Sequence, residues 1–238
     1  MGMDSYQNRK SPKDGIEDFP TPPWATRAFC HHILGGRPTL KGATVWEPCA
    51  NRGYMARPLK EYFFNVVASD IGDYGVGFPV IDFMTGPKPS EFGMEIDWII
   101  TNPPFNLGVD FVLRAMQEGM SRKGVAVFVR SAWIEGVDRY ERLFSVNPPT
   151  RICQYVGRVP IVRGGVDEKA ATAMPYSWFV WEHEADTGPP IVEWIPHCRK
   201  DFEREGDYEK VGVGPKHFYP EKGAEDATDD DANTEVLE

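Results

Sequence analysis

Asp97-Trp98-Ile99-Ile100-Thr101-Asn102-Pro103-Pro104-Phe105 is the stretch that decides the reading of this 238-residue chain. An apolar run of strand character drives straight into two consecutive prolines. Proline has no N–H to give a sheet and its ring fixes φ, so the strand stops there and the turn that follows is stiff. Such a turn presents the Asn102 side-chain oxygen and the Pro103 carbonyl as two fixed acceptors, with Phe105 as a flat wall beside them. A planar exocyclic amine needs that set: one acceptor for each of its N–H groups and a face to stack on.

Outward from this turn, apolar runs alternate with helical patterns. The spacing predicts strands over 43–48, 65–70, 79–83, 97–102, 124–130, 151–156 and 176–181, with a shorter one over 191–195. Helices are predicted over 23–34, 55–62, 109–118 and 138–144. The first has Pro23 near its start and Gly35-Gly36 beyond its end, the usual asymmetry of helix termini. Strands alternating with helices predict an α/β fold built on a parallel sheet. The late, aromatic-rich strands lack long helices between them, which predicts an antiparallel addition at one edge. Open sheets of this kind bind ligands beyond the carboxyl ends of their strands.

Those ends carry chemistry in register. The first strand leads into Glu47-Pro48-Cys49-Ala50-Asn51-Arg52-Gly53-Tyr54, a small-residue loop that lets backbone approach a ligand. Asn51 and Gly53 stand where a G-x-G would stand, and Asn is the non-glycine residue most tolerant of left-handed geometry. A full G-x-G-x-x-G is absent, which excludes the nicotinamide fingerprint. The second strand ends in Ser69-Asp70, placing a carboxylate where ribose hydroxyls can donate to it. The third ends in Asp82-Phe83, an acceptor and an aromatic suited to hold and cover an adenine ring, although Asp also caps helices and Phe usually belongs to a core.

With these residues in view, the chain resembles the S-adenosylmethionine-dependent amino-methyltransferases, specifically the small, phage-type DNA adenine-N6 methyltransferases. The resemblance spans roughly residues 19 to 183. It rests on Thr21-Pro22-Pro23-Trp24, the Glu47-Pro48 loop, Asp70, Asp82-Phe83, Asn102-Pro103-Pro104-Phe105 and the late aromatic strand Tyr176-Ser177-Trp178-Phe179-Val180-Trp181. The Thr-Pro segment precedes the cofactor loop, as in the gamma motif order. The resemblance implies a Rossmann-like class I methyltransferase fold, a seven-stranded mixed sheet with its last strand antiparallel. It also implies S-adenosylmethionine over the first three strands, contacted by Thr21, Pro22, Glu47, Pro48, Asn51, Gly53, Asp70, Asp82 and Phe83. The target base would lie over the fourth, where Asn102, Pro103, Pro104 and Phe105 carry the chemistry. Asn51 stands where members of the group carry Gly.

The expected domain runs over 19–200, between a flexible leader at 1–18 and an extension at 201–220. Residues 159–175 are the candidate substrate loop, since no separate target-recognition domain is expected after the last strand. The formal charge of −10 is concentrated in an acidic tail at 221–238, expected to be disordered, with eight acids and one lysine. Between Ser121 and Arg163 the sign reverses, with eight cations against three carboxylates, so phosphate contact by this segment is expected. DNA, its target base flipped out, is the expected partner. Rival acceptors for the same turn are guanine N2 in RNA, cytosine N4 and a protein glutamine amide; a catalytically silent nucleic-acid-binding module is a further reading.

Four scattered cysteines without a C-x-x-C pair fit a reducing cytoplasm and neither a disulfide framework nor a zinc cluster. Adjacent His31-His32 and His197-Cys198 are poorly spaced for one tetrahedral metal, and no metal is expected. No window of apolar residues is long enough to span a membrane, and the polar first ten residues do not form a secretory signal. Trp46, Trp98, Trp178 and Trp181 lie inside strands and are expected in the core, while Trp133 lines the target pocket or is buried.

Overall fold

The computed structural model describes residues 16–185 and 188–215; the acidic tail and residues 1–15 of the expected leader lie outside them. Seven strands form one sheet: β1 Thr44–Glu47, β2 Asn65–Ala68, β3 Trp98–Thr101, β4 Gly124–Arg130, β5 Arg151–Tyr155, β6 Tyr176–Glu182 and β7 Ile191–Ile195. Their order across the sheet is β2-β1-β3-β4-β6-β5-β7. β6 runs antiparallel to both its neighbours, and the other pairings are parallel. This is the seven-stranded mixed, Rossmann-like sheet expected, except that the antiparallel strand is the sixth in the chain, and the last, β7, runs parallel to its neighbour β5.

Two strands differ from the reading. The run over 79–83 makes no strand: it touches the end of β2 through a single parallel bridge, Asp70 to Val80. Pro79 has no N–H to donate, and the Asp82 carboxylate at once captures the Met84 N–H at 2.8 Å, turning the chain away. The place in the count is taken by β7, which pairs in parallel with β5 at the far edge. The antiparallel strand β6 is therefore interior, between β4 and β5, not an edge addition.

Both faces of the sheet are covered, and period two sorts the residues between them. Val45, Trp98, Ile100, Ala126, Phe128, Trp178 and Val180 face one way, against Trp24, Ala25, Ala28 and Phe29 of α1 (Pro23–His32). Trp46, Ile99, Val125, Val127, Val129, Phe179 and Trp181 face the other, against Val109, Phe111, Val112 and Ala115 of the helix over Gly108–Ala115. The four strand tryptophans are thus core residues, as expected. So is Trp133, packed against Phe144 and Phe179. At Gly124 a Cβ would stand 2.4 Å from the Trp181 carbonyl and 2.7 Å from the Trp98 ring, so only glycine lets β4 pass between them.

The helices are shorter than predicted. The run over 55–62 gives a single α-turn, Ala56–Leu59, that tightens into i→i+3 bonds from Glu61 and Tyr62. The run over 138–144 is split into Val137–Arg139 and a π-turn over Tyr140–Phe144. A short helix at Gly36–Leu40 follows where the glycine pair predicts only a stop. No described helix is long and apolar enough to cross a membrane.

Residues 202–207 fold back on the first helix. Arg27, 5% exposed, donates to both carboxylate oxygens of Asp207 at 2.6 and 2.9 Å, to the Phe202 carbonyl and to Glu61. Removing one member of a buried pair strands the other charge without water. Asp207→Ala is expected to lower unfolding free energy by about 3 kcal/mol, since Glu61 retains part of the pairing. Urea denaturation checks this; a loss below about 1 kcal/mol would place the pair with exposed ion pairs in its effect.

Candidate active site

The carboxyl ends of β1, β2 and β3 open together onto a cavity of about 870 Å³. Eleven of the thirteen residues singled out from sequence line it: Thr21, Glu47, Pro48, Asn51, Asp70, Asp82, Phe83, Asn102, Pro103, Pro104 and Phe105. Pro22 and Gly53 do not. Pro22 is the N-cap of α1, and Gly53, at φ +82°, lies where a Cβ would press 3.0 Å from the Phe78 ring. Both set backbone rather than wall. Further walls come from Tyr54, Met55, Ile71, Tyr74, Ile81 and Met84, apolar positions with no local signature in the sequence.

Ile16, Glu17, Phe19, Pro20 and Thr21 also line the cavity; Ile16 and Glu17, with neighbouring Asp18 behind the wall, belong to the segment assigned from sequence to the leader. They are held there by buried charge. Asp18 accepts from both terminal nitrogens of Arg52, at 2.7 and 2.9 Å, and from the Asn51 side-chain amide at 2.9 Å. Asn51 has the one positive φ among described non-glycine residues, +52°. Its main-chain N–H donates to Asp70 at 2.8 Å. Glycine in this place would satisfy the backbone, but it would lose the side-chain link to Asp18. That link is a physical reason for asparagine here.

Three carboxylates serve this half of the cavity differently. Asp70 accepts from the Asn51 and Gly72 N–H groups, and burial pushes its carboxyl up to about 6. Glu47 is completely buried; desolvation, then the charge of Asp70, holds its carboxyl well above the usual range, and its Oε2 has no partner. Asp82 spends its oxygens on the Met84 N–H and the Thr85 hydroxyl, both at 2.8 Å, so it also shapes its own turn. Phe83 is 3% exposed and packs on Trp46 and Phe111, which makes it a core residue with an edge in the cavity.

The opposite half is the turn after β3. The Asn102 side-chain amide donates to the Phe19 carbonyl at 3.0 Å and to the Thr21 hydroxyl at 3.1 Å. The Phe105 N–H donates to Glu17 at 2.8 Å. The Phe105 ring meets Phe19 at 5.4 Å, and the Arg130 guanidinium lies 4.8 Å over its centroid. Segment 16–21 therefore touches both halves of the cavity.

The basic run over 121–163 does not form a surface of unspent cations. Arg122 and Lys123 pair with Asp97, Arg142 with Asp110 and Asp138, and Arg151 with Glu182 and Glu193. Arg139 donates to the Trp133 and Glu135 carbonyls. Arg130, Arg158 and Arg163 make no ion pair among the described residues. The loop over 159–175 begins in the core, with Val159 and Ile161 buried, and its Gly164 N–H donates to the Asp18 carbonyl. Among the described residues no group of His, Cys, Asp or Glu is placed to hold a metal.

Known structures share this architecture. The methyltransferase subunit of a type I restriction-modification system from Streptococcus thermophilus is 12% identical, with TM-score 0.54 over 83% of this chain and 50% of its own. A candidate RNA methyltransferase from Pyrococcus horikoshii is 18% identical, with TM-score 0.52 over 73% and 90% of the two chains. A candidate class I S-adenosylmethionine-dependent methyltransferase from Listeria monocytogenes is 13% identical, with TM-score 0.53 over 77% and 68%. The chain spans about half the length of the type I subunit. No protein-family model matches the chain, and no curated protein matches it significantly in sequence. The fold is that of the class I methyltransferases.

The raised carboxyl of Asp70 has a sign. A group that holds its proton more tightly folded than unfolded stabilises the fold fully below its unfolded value, near 3.8, and that contribution is lost as pH rises through about 6. The loss amounts to about 3 kcal/mol at neutral pH. Replacing Asp70 by Asn removes this titration. Denaturant unfolding between pH 4 and about pH 7 is expected to show the stability difference moving steadily in favour of Asp70→Asn. A difference independent of pH would mean that Asp70 ionises as freely in the fold as in the unfolded chain.

Proposed function

We propose that this chain transfers a methyl group from S-adenosylmethionine to the exocyclic N6 amine of adenine in DNA. One observation carries the reading: the Asn102-Pro103-Pro104-Phe105 turn and the buried acids Glu47 and Asp70 line the same cavity. The acids suit a cationic ribonucleoside. Glu47 offers a partnerless buried oxygen to positive charge, and Asp70 sits where ribose hydroxyls would donate. The cavity volume lies within the usual range for a pocket that encloses a cofactor. Bound there, S-adenosylmethionine would supply an electrophilic methyl on a sulfonium.

The chain's own task is then to make an amine nucleophilic. The adenine N6 lone pair is delocalised into the ring. Acceptors at Asn102 and the Pro103 carbonyl draw its two N–H groups out of plane and return density to the nitrogen. Orientation toward the methyl supplies most of the remaining acceleration. Within a duplex this amine is out of reach, so the base must leave the stack, at a cost of a few kcal/mol. Phe105 offsets this by stacking, worth about 1–3 kcal/mol per base. A base entering there meets Arg130, whose guanidinium can turn from the ring to a flanking phosphate.

The substrate is argued from the turn together with the type I restriction-modification neighbour; the Pyrococcus neighbour is named for RNA, which makes RNA the second acceptor to test. The full chain is incubated with methyl-labelled cofactor and DNA, RNA or protein, and the products are hydrolysed. Label in N6-methyladenine from DNA is expected. Label in N2-methylguanine or glutamine would reassign the acceptor, and no label with intact cofactor binding would indicate a silent module. Asn102→Ala is expected to lower kcat about 10²–10³-fold, the usual cost of one oriented hydrogen-bonding group. Calorimetry should find cofactor affinity unchanged in that variant. Turnover near wild type would make the turn purely structural.

A further inference from the structure

We infer that Thr21, together with the Phe19 carbonyl, is a positioning residue: it fixes which end of the Asn102 amide faces the acceptor and so restricts the site to hydrogen-bond donors. The inference rests on the amino-methyltransferase reading above and adds a determinant of selectivity to it.

An asparagine amide has two ends of nearly equal shape and opposite chemistry, an acceptor oxygen and a two-donor nitrogen. Only its partners decide which points where. Here Nδ2 donates to the Phe19 carbonyl at 3.0 Å and to the Thr21 hydroxyl at 3.1 Å. The carbonyl cannot donate, so a turned-over amide would set Oδ1 against another oxygen and leave both without a proton. That costs a hydrogen bond at a part-buried site. The second bond, to the hydroxyl oxygen, removes the remaining freedom: one contact leaves the amide able to swing, and two define its plane. Oδ1 is then the end left to the cavity that Asn102 lines.

The clamp itself is rigid for reasons of local sequence. Thr21 is 2% exposed and lies between Pro20 and Pro22, whose rings fix φ on either side. Pro22 has extended geometry, φ −63° and ψ 138°, and starts α1. Upstream, Asp18 is locked to Arg52 and Asn51. The two residues that orient Asn102 therefore stand more than eighty positions earlier in the chain, on a segment restrained by its prolines and by the Asp18 pairing.

An amide held this way accepts from an amine and repels a keto oxygen. Adenine N6 or cytosine N4 satisfies it, and guanine O6 or thymine O4 does not. Cofactor contact is the rival explanation for Thr21, which also lines the cavity, and the test must separate the two.

Thr21→Val keeps the shape and removes the hydroxyl. It is expected to lower kcat about 10–100-fold, the scale of a displaced reacting group, with cofactor affinity and melting temperature unchanged. Thr21→Ser is expected to restore turnover. Independently of any activity, NMR of the ¹⁵N-labelled full chain should show the Asn102 side-chain amide protons slowed in exchange in wild type and released in Thr21→Val. A fall in cofactor affinity that accounts for the lost activity, or an Asn102 amide that exchanges freely in wild type, overturns the assignment. If Thr21→Val folds poorly, Thr21→Ala against Thr21→Ser gives the same comparison. Protected amide protons in a wild-type chain that methylates nothing would leave the clamp standing and sink the function.

Discussion

A single buried carboxylate, Asp18, holds the cavity in shape. It is 8% exposed and lies against a guanidinium with about as little contact with water. Charges in that position are tolerated only when paired and fully hydrogen-bonded. Asp18 meets the condition by accepting from Arg52 twice and from Asn51 once, which ties the approach to α1 onto the loop after β1. The same asparagine then donates its main-chain N–H to Asp70 beyond β2. Three segments far apart in sequence are fixed by one set of bonds, and the Asn102 turn leans on the first of them through Phe19 and Thr21.

What the sequence made legible is local. The Pro103-Pro104 stop, the left-handed tolerance of Asn51 and the acid just past β2 are properties of a few adjacent residues, and each is found in place at the cavity. What it hid is long-range. Nothing near Asp18 in sequence says that it pairs with Arg52, thirty-four residues on, so 16–18 read as part of a leader. The basic run misled for the same reason. The acids that pair with Arg122, Arg151 and Lys123 lie outside it, at Glu95, Asp97, Glu182 and Glu193. The strand expected at 79–83, which does not form, shows a different limit. Apolar residues alone cannot pair when one flank is a proline and the other an aspartate that bends the chain.

The aromatic content also has a structural meaning that composition leaves open. Phe29 stacks on Trp178 at 4.1 Å, and Phe128 stacks on Tyr176 at 5.3 Å, both on the α1 face of the sheet. Offset stacks of this kind add specificity beyond the area they bury. The first joins α1 to β6 and sets the height of the helix over the strands, the second joins β4 to β6 beneath it, and α1 in turn fixes where Thr21 and Pro22 enter the site. The rings therefore serve the chemistry at one remove: most never reach the cavity, yet they determine how precisely its polar residues are aimed.

The far end of the described chain reaches the cavity too. The Tyr54 hydroxyl donates to the Glu209 carbonyl at 3.1 Å, and the Val213 N–H donates to the Tyr74 carbonyl at 2.9 Å; both tyrosines line the cavity. Arg52, the partner of Asp18, lies over the Tyr74 ring at 5.1 Å. First and last described segments thus clasp one pocket. For a protein made from its amino end, this sets an order of events. The sheet and its helices can gather as they leave the ribosome, but the pocket has both its clasps only after residue 213 has emerged. A chain not yet translated past that point holds an incomplete site, and the pocket is completed after the sheet has folded rather than together with it.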